Sequence, residues 1–490
     1  MGLALAGCSL AACQLLSGVT DLIVDRDDDA GRDATTDVAN DVMSDAPVQP
    51  IADAGSYELT IEIERPEVGY VKETGDLKGI TVGGVSVCKG NDADGGCAGA
   101  VKVQIDRAPT TIEVNVNAGS AYFVQPESCK SKSTCNVDAD AGANGVKLRV
   151  VAHNYVFVTS KTFQGNLSGL SGADTICSSA AEEAGLPGSY KAWLSDDNSN
   201  AIDRFATTTR GFVRVDGKPF ADALDDLKKG AVDYPIQVDE HGNPLADDAL
   251  VFTGTIGNGK KGGGIYMCTN WSSATGFAAG GYANAGTGVW TNKTTIAECS
   301  DFAHLYCFRN DLNASLTLVD PPADHRIAFL STPFVPTGGR AELDTRCQSE
   351  ATTNGVPGTY RAWIATTDKK PTDLPFVVGG GGWYRLDGMP VFPKAADLQS
   401  SSSQLTGAIT QYADKSYVPD SPSPKTAVWT GMSTNLAAKA DGLVFSCGDW
   451  TGSSATGVEG NAAFTNQSAI RIAAGFGTCT QDHSVYCFQQ

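Results

Sequence analysis

The sequence predicts an α+β protein in which an all-β segment and an acidic tether precede two copies of one small module. Three observations lead there. First, the stretch Gly172 to Ser195 is echoed from Glu342 to Ala365. Asp174, Cys177, Pro187, Gly188, Tyr190, Ala192 and Trp193 recur as Asp344, Cys347, Pro357, Gly358, Tyr360, Ala362 and Trp363. Second, the last eight of the 14 cysteines fall into two blocks of four with nearly the same spacing. Third, residues 56–153 alternate apolar and polar positions in short runs, as half-buried strands do. A chain of 490 residues is too long for one ordinary core, and its 55 glycines point to long loops and many turns.

The formal charge of −20 argues against nucleic acid, which needs a basic footprint. Residues 1–20 begin with MGLALAGCSLAACQLL, small, apolar, uncharged and too short to span a bilayer. This run resembles the end of a bacterial lipoprotein signal peptide, with Leu5-Ala6-Gly7-Cys8 and Leu10-Ala11-Ala12-Cys13 as lipobox-like stretches. Cys13 leaves the longer apolar segment before cleavage and is preferred to Cys8 as the lipidated residue. No positive n-region precedes the run, so the translation start is expected upstream. That reading places the protein at the bacterial outer membrane or cell surface, touching the membrane through its lipid alone.

Residues 21–55 are rich in Asp and Ala and have no aromatic side chain. Such a stretch buries too little apolar surface to offset its backbone entropy, so a disordered tether is expected. In residues 56–153, YELTIEIE, ITVGGVSV, AVKVQI, TTIEVNV and VKLRVVAH read as strands of a small antiparallel sandwich serving as a spacer. Cys88 with Cys97 and Cys129 with Cys135 flank short polar loops and are placed to staple one hairpin each.

The repeated copies occupy residues 154–310 and 325–490. Each opens with an apolar strand, VFVTS or IAFLS, and a helix follows from Gly172 to Glu183 or from Glu342 to Thr353. In the first helix Ala173, Ile176, Cys177, Ala180 and Ala184 lie at the spacing of one buried stripe. Gly185 and Gly355 stand where a helix ends in a left-handed residue, with Pro187 or Pro357 just beyond. Tyr190, Ala192 and Leu194 then share one face of a strand. Later segments recur as well: Gly211 to Gly217 with Gly382 to Gly388, Val251-Phe252-Thr253-Gly254 with Val428-Trp429-Thr430-Gly431, Cys268 to Trp271 with Cys447 to Trp450, and Leu305 to Phe308 with Val485 to Phe488.

Strand, G-A-D-x-x-C helix, L-P-G-x-Y-x-A-W-L strand, C-x-x-W loop and final Y-C-F strand resemble the endostatin-like domains of bacterial surface lipoproteins. That family is similar to the endostatin domain of collagen and belongs with the C-type-lectin-like folds. The second copy departs at its start, where Val335 to Glu342 carries no Gly-Ala-Asp. The resemblance implies two tandem C-type-lectin-like (endostatin-like) domains behind a small all-β sandwich domain and a disordered tether. It also implies a nested pairing, Cys177 with Cys307 around Cys268 with Cys299, and Cys347 with Cys487 around Cys447 with Cys479. Sequence alone leaves three pairings per block. Family members look like adhesins and host-factor binders, which implies a protein or glycan ligand at the cell surface. A structural envelope protein and a calcium-dependent lectin are the alternatives.

No catalytic residue is assigned and no enzyme is expected, because no G-x-S-x-G elbow precedes a helix. His304 and His483 nearly recur, one residue out of register, and read as packed histidines beside the final strand. CxxC pairs are absent, and neither a metal ligand nor a cofactor is assigned. Arg204, Arg210, Arg214, Arg361 and Arg385 read as solvated charges. Trp193 and Trp363 lie in strands and are expected in the core. The candidate ligand faces are Trp271 and Trp450, in cysteine loops, and Trp383, which follows the glycines Gly379 to Gly382. Beyond these, the ligand site is expected between Asp196 and Thr253 and between Thr366 and Thr430, where the copies diverge.

Overall fold

A computed structural model gives the fold. It describes residues 22–25, 57–64, 80–88, 100–105, 111–116, 121–138, 146–150, 153–257, 259–262, 266–292, 297–367, 371, 380–399, 404–419, 425–432, 446–452, 456–466, 469 and 475–490. The chain is mixed α+β, rich in strands, with few helices and several sheets. It divides into two compact units, the first formed by residues 1–66 and 75–152, the second by 67–74 and 153–490.

Among the described residues, the first unit has nine strands: β1 (Leu22–Asp25), β2 (Tyr57–Glu64), β3 (Ile80–Val82), β4 (Val85–Cys88), β5 (Ala100–Ile105), β6 (Thr111–Val116), β7 (Ala121–Gln125), β8 (Thr134–Asp138) and β9 (Val146–Val150). They form a five-stranded sheet, β1-β5-β2-β9-β7, and a four-stranded sheet, β4-β3-β6-β8. Alternation sets the inner face: Leu59, Ile61 and Ile63 of β2 are buried while Thr60 and Glu62 are not. They share one core with Ile80, Val82, Val114, Val116 and Val137 of the other sheet, so the unit is a sandwich.

Two expectations need correction here. The sandwich is not purely antiparallel, since β2 and β9 pair in parallel from Ile61–Val146 to Glu64–Arg149. Residues 21–55 are not all tether either. Leu22–Asp25 pairs antiparallel with β5, because Leu-Ile-Val is a strand-forming run that an exposed sheet edge can take up. Cys129 is bonded to Cys135. Cys8, Cys13, Cys97, the side chain of Cys88 and residues 26–55 lie outside the described residues.

The second unit contains both copies. In the first, Asn154–Val158 lies between Arg210–Arg214, in parallel, and His304–Arg309, antiparallel. Tyr190–Ala192 also pairs with His304–Arg309, and Leu250–Phe252 joins it in parallel. The second copy repeats the pattern. Arg326–Leu330 lies between Gly381–Tyr384, parallel, and Tyr486–Gln489, antiparallel, with Tyr360–Ala362 on the far side. A parallel bridge from Val428 to Ser484 stands where Val251 meets His304.

The helices, Gly169–Glu183 and Gly339–Thr353, begin three residues earlier than the sequence spacing predicts. Their buried stripe is also narrower. Ala173, Cys177 and Ala181 face the core, as do Leu343, Cys347 and Ala351, while Ile176, Ala180 and Ala184 are half-buried. Residues four apart stack on one line of a helix, and a helix on one sheet face needs only that line. Each helix stops in a Schellman arrangement. Gly185 N–H donates to Glu182 O and Leu186 N–H to Ala181 O; Gly355 N–H and Val356 N–H repeat this to Thr352 O and Ala351 O. The glycines sit at φ 71° and 68°, which explains why both copies carry glycine there.

The disulfides are Cys177–Cys307 around Cys268–Cys299, and Cys347–Cys487 around Cys447–Cys479. The nested arrangement is present in both copies. The final strand explains its own recurrence. Its Cys is bonded to the helix, and its Phe is the hub of the core, with Trp193, Phe205, Phe212 and Phe220 around Phe308 at 5.3–5.7 Å between ring centroids. Trp363 and Trp383 meet Phe488 at 5.7 Å. Its Tyr hydroxyl is buried and donates to Trp290 O at 2.8 Å, or to Ala469 O at 2.9 Å from Tyr486.

The two copies pack on each other. Leu250 pairs with Tyr282 and Ala427 with Asn461, so Ala285 and Phe464, three residues on, hold the same place in each copy. An antiparallel bridge joins Ala285 to Phe464, and Gly286 N–H donates to Ala463 O. Contact between like positions is what a two-fold relation produces. Phe464 also packs on the first copy's core, so the boundaries at 310 and 325 mark a repeat within one folded unit.

Candidate functional site at the junction of the copies

The recurring polar residues turn out to be scaffold. Asp174 Oδ1 accepts Ala192 N–H at 2.9 Å, and Asp344 Oδ1 accepts Ala362 N–H at 2.9 Å, so this carboxylate ties the helix to the next strand. A guanidinium completes the site in each copy, brought from a different part of the chain. Arg204 forms a fork on Asp174 at 2.6 and 2.7 Å and donates to Ala192 O. In the second copy Arg340, on the helix itself, donates to Ala362 O and Ile364 O. Sequence alignment hides this substitution of one arginine for another.

The cysteine loops are one-turn left-handed helices. Cys268, Thr269, Asn270 and Trp271 have φ of 48–62°, and Cys447, Gly448, Asp449 and Trp450 have φ of 51–69°. Each costs backbone energy in the left-handed region, offset by the disulfide and by the Trp. Trp271 Nε1–H donates to Ser195 O at 2.7 Å and Trp450 Nε1–H to Ala365 O at 2.8 Å. Gly254 and Gly431 recur because a Cβ there would lie 2.8 and 3.0 Å from the two indole rings. Asn270 Oδ1 and Asp449 Oδ1 accept the N–H groups of Asp197 and Thr367. Burial works against the Asp449 carboxylate, but bonds from Thr367 and Ser446 hold its pKa below the usual range.

Thr269 is exposed, β-branched and left-handed, where the second copy has Gly448. Thr269→Gly is expected to raise stability by roughly 0.5–1 kcal/mol, after allowing for the extra freedom glycine gives the unfolded chain. The thermal midpoint would rise by about one degree, and a fall would contradict the left-handed assignment.

The tryptophan candidates therefore require correction. Trp271 and Trp450 are 0 % exposed and Trp383 is 1 % exposed. Trp383 lies in the strand Gly381–Tyr384; its Nε1–H donates to Gln489 O and the Arg326 guanidinium sits 3.5 Å from its ring centre. No face of these rings is open to a ligand. Trp193 and Trp363 are buried, as core packing requires. Three of the arginines are not solvated: the side chains of Arg204 and Arg214 keep under a tenth of their surface, and Arg385 is fully buried. Arg210 keeps 42 % of its side-chain surface and Arg361 is half-buried.

The histidines sit beside the final strands. His304 Nδ1 is 2.6 Å from Thr159 O, and burial lowers the His304 pKa. His483 Nε2 is 2.7 Å from Glu459 Oε1, on the wall of a shallow pocket with Lys425 and Asp482. Among the described residues, no three or more His, Cys, Asp or Glu side chains are grouped to hold a metal ion, and no helix is long and apolar enough to cross a membrane.

The divergent segments meet at the junction. The first copy supplies Asp222, Asp226, Lys229 and Asp233, and the second Asp387, Lys415, Tyr417 and Pro419. Leu316 and Leu318, from the connection between copies, close one side of a cleft of about 790 Å³. That connection is held in place, since Leu312 N–H donates to Asn154 Oδ1 and Leu316 N–H to Asp222 Oδ1.

Arg385 forms the cleft's foundation. Its Nη1 donates to Ala408 O in its own copy and to Val232 O in the other. Its Nη2 reaches Asp387 Oδ2 at 2.6 Å and Asp233 Oδ1 at 3.0 Å. The matching residue of the first copy, Arg214, uses the same Arg-x-Asp pair differently, binding Asp216 and Pro235 O within its own copy. One motif thus serves as a local clamp once and as a bolt between copies the second time.

Two carboxylates share the Arg385 guanidinium unequally. Burial penalises the Asp387 anion, but Arg385, Tyr417 Oη–H and Met389 N–H outweigh it and hold its pKa below the usual range. Asp233 has one bond to Arg385 and little else. Burial pushes its pKa up to about 7; Arg385 opposes this, while Asp387 and Asp226 add to it. The cleft floor therefore holds one firmly ionised carboxylate and one that titrates near neutrality.

No protein-family model and no curated protein matches the chain.

Proposed function

We propose that this chain is a non-enzymatic binding protein held outside a bacterial cell by a lipid on Cys13, with Cys8 as the alternative, and that its ligand enters the junction cleft. The observation that carries this reading is the division of labour in the repeat. Shared residues such as Asp174, Trp271 and Phe308 are consumed by strand ties, indole bonds and core packing. The segments that differ between copies line a cleft formed at their meeting. Clefts at module interfaces are common ligand sites. Five disulfides among the described residues favour an oxidising compartment such as the cell surface. On the proposed reading, the modules are endostatin-like members of the C-type-lectin-like class, and the ligand is a protein or glycan at the surface.

The test is a panel of immobilised glycans and matrix proteins probed with the full chain, with and without Ca²⁺. Saturable binding to at least one member is expected, and Leu318→Arg, which sets a bulky charge in the cleft, should weaken it at least tenfold. Binding to none would favour a structural envelope protein instead. Binding that requires Ca²⁺ and ignores Leu318→Arg would favour a calcium-dependent lectin.

A further inference from the structure

The cleft has a chemical preference. Its floor sets two carboxylates, Asp233 and Asp387, against the single guanidinium of Arg385. Asp387 is saturated: it takes Arg385, the Tyr417 hydroxyl at 2.7 Å and Met389 N–H at 3.0 Å. Asp233 keeps 16 % of its side chain exposed and has unused acceptor capacity toward the cleft. Asp226 stands on the same wall; its Oδ2 is occupied by Ala223 N–H, and Lys229 approaches its Oδ1 only at 3.9 Å. Asp222 is neutralised by Arg210 and Leu316 N–H, so it adds little. Leu316, Leu318 and Pro419 add an apolar strip along the same cavity.

We propose, resting on the binding reading above, that this cleft receives a primary ammonium carried on an alkyl chain, its charge between Asp233 and Asp226 and its methylenes along Leu316 and Leu318. A protonated amine supplies three donors to under-used carboxylate oxygens, and its stem covers apolar surface, as lysine side chains do. A polypeptide lysine and a free alkyl diamine share this chemistry. Because the Asp233 carboxyl titrates near neutrality, an ammonium can bind it fully only after the proton leaves. The charged groups around it are Arg385, Asp387 and Lys415 from the second copy and Asp222, Asp226, Lys228 and Lys229 from the first, with the Tyr417 hydroxyl beside them.

Isothermal titration of the full chain with 1,5-diaminopentane and with Nα-acetyl-lysine amide tests this. Both amines stay protonated between pH 6 and 8. Affinity is expected to be about tenfold higher at pH 8 than at pH 6, following one titrating group near 7. Buffers of different ionisation heat should report proton release on binding at pH 6. Asp226→Asn, on a partly exposed wall, should cost at least tenfold while the thermal midpoint holds, and Asp233→Asn should remove the pH dependence along with most of the affinity. Tighter binding of the lysine derivative would assign a polypeptide source, and tighter binding of the diamine a free amine. The proposal fails if neither amine binds at pH 8, if both Asn variants match the parent, or if pentanol binds as well as the diamine. A panel ligand held equally by the parent and both Asn variants would leave the binding reading standing and remove this one.

Discussion

Arg385→Met is expected to cost the second unit about 3–5 kcal/mol, the penalty typical of removing one partner from a buried ion pair. The guanidinium is fully buried and reaches both copies. Without it Asp233 and Asp387 face each other in the cleft floor, and the carbonyls of Val232 and Ala408 lose a donor. Calorimetry should show the consequence in shape as well as position. In the parent the two copies are expected to unfold together; in the variant the transition should broaden or split. Arg214→Met, which removes the equivalent local clamp, should lower stability without uncoupling the copies. Adding Asp233→Asn and Asp387→Asn to Arg385→Met should recover much of the loss, since the uncompensated charges are its main source. A loss below about 1 kcal/mol for Arg385→Met would mean that the junction is held by the Ala285–Phe464 contact and its neighbours instead.

The contrast between Arg385 and Arg214 also shows what a sequence can and cannot disclose. Both sit in the same recurring Arg-x-Asp segment, and nothing in the letters says which reaches across to the other copy. The difference lies in Asp233, whose place in the second copy is taken by Thr406: each donates its N–H to the same strand position, Phe220 O and Val391 O. The helix ends, the Y-C-F strand and the cysteine blocks were legible because each meets a local constraint that recurs: a left-handed glycine, a core hub, a disulfide. Trp271 and Trp450 misled because a tryptophan in a loop reads as open, whereas a left-handed turn folds the indole inward to a backbone carbonyl. The cleft was legible only as the place where the copies differ. Its residues come from two copies and a connection, and only the packing of one copy on the other brings them together.

Removing the outer bridge of the first copy by Cys177→Ala with Cys307→Ala is expected to cost roughly 2–5 kcal/mol. The bond spans 130 residues, against 31 for Cys268–Cys299. If loss of unfolded-state entropy is the cause, the long-loop pair should cost about 1.3 kcal/mol more than the short-loop pair, from the logarithm of the ratio of these spans. Local geometry pulls the other way. Cys268 opens a left-handed turn, and its bond to Cys299 helps hold a conformation that four consecutive residues would otherwise leave. Denaturant unfolding of the two double variants separates these effects. A larger loss for Cys177/Cys307 would make the bridge chiefly a constraint on the unfolded chain. A larger loss for Cys268/Cys299 would make it chiefly the clasp of a strained turn, and Thr269→Gly in that background should then recover part of the deficit by easing the turn at its most costly residue.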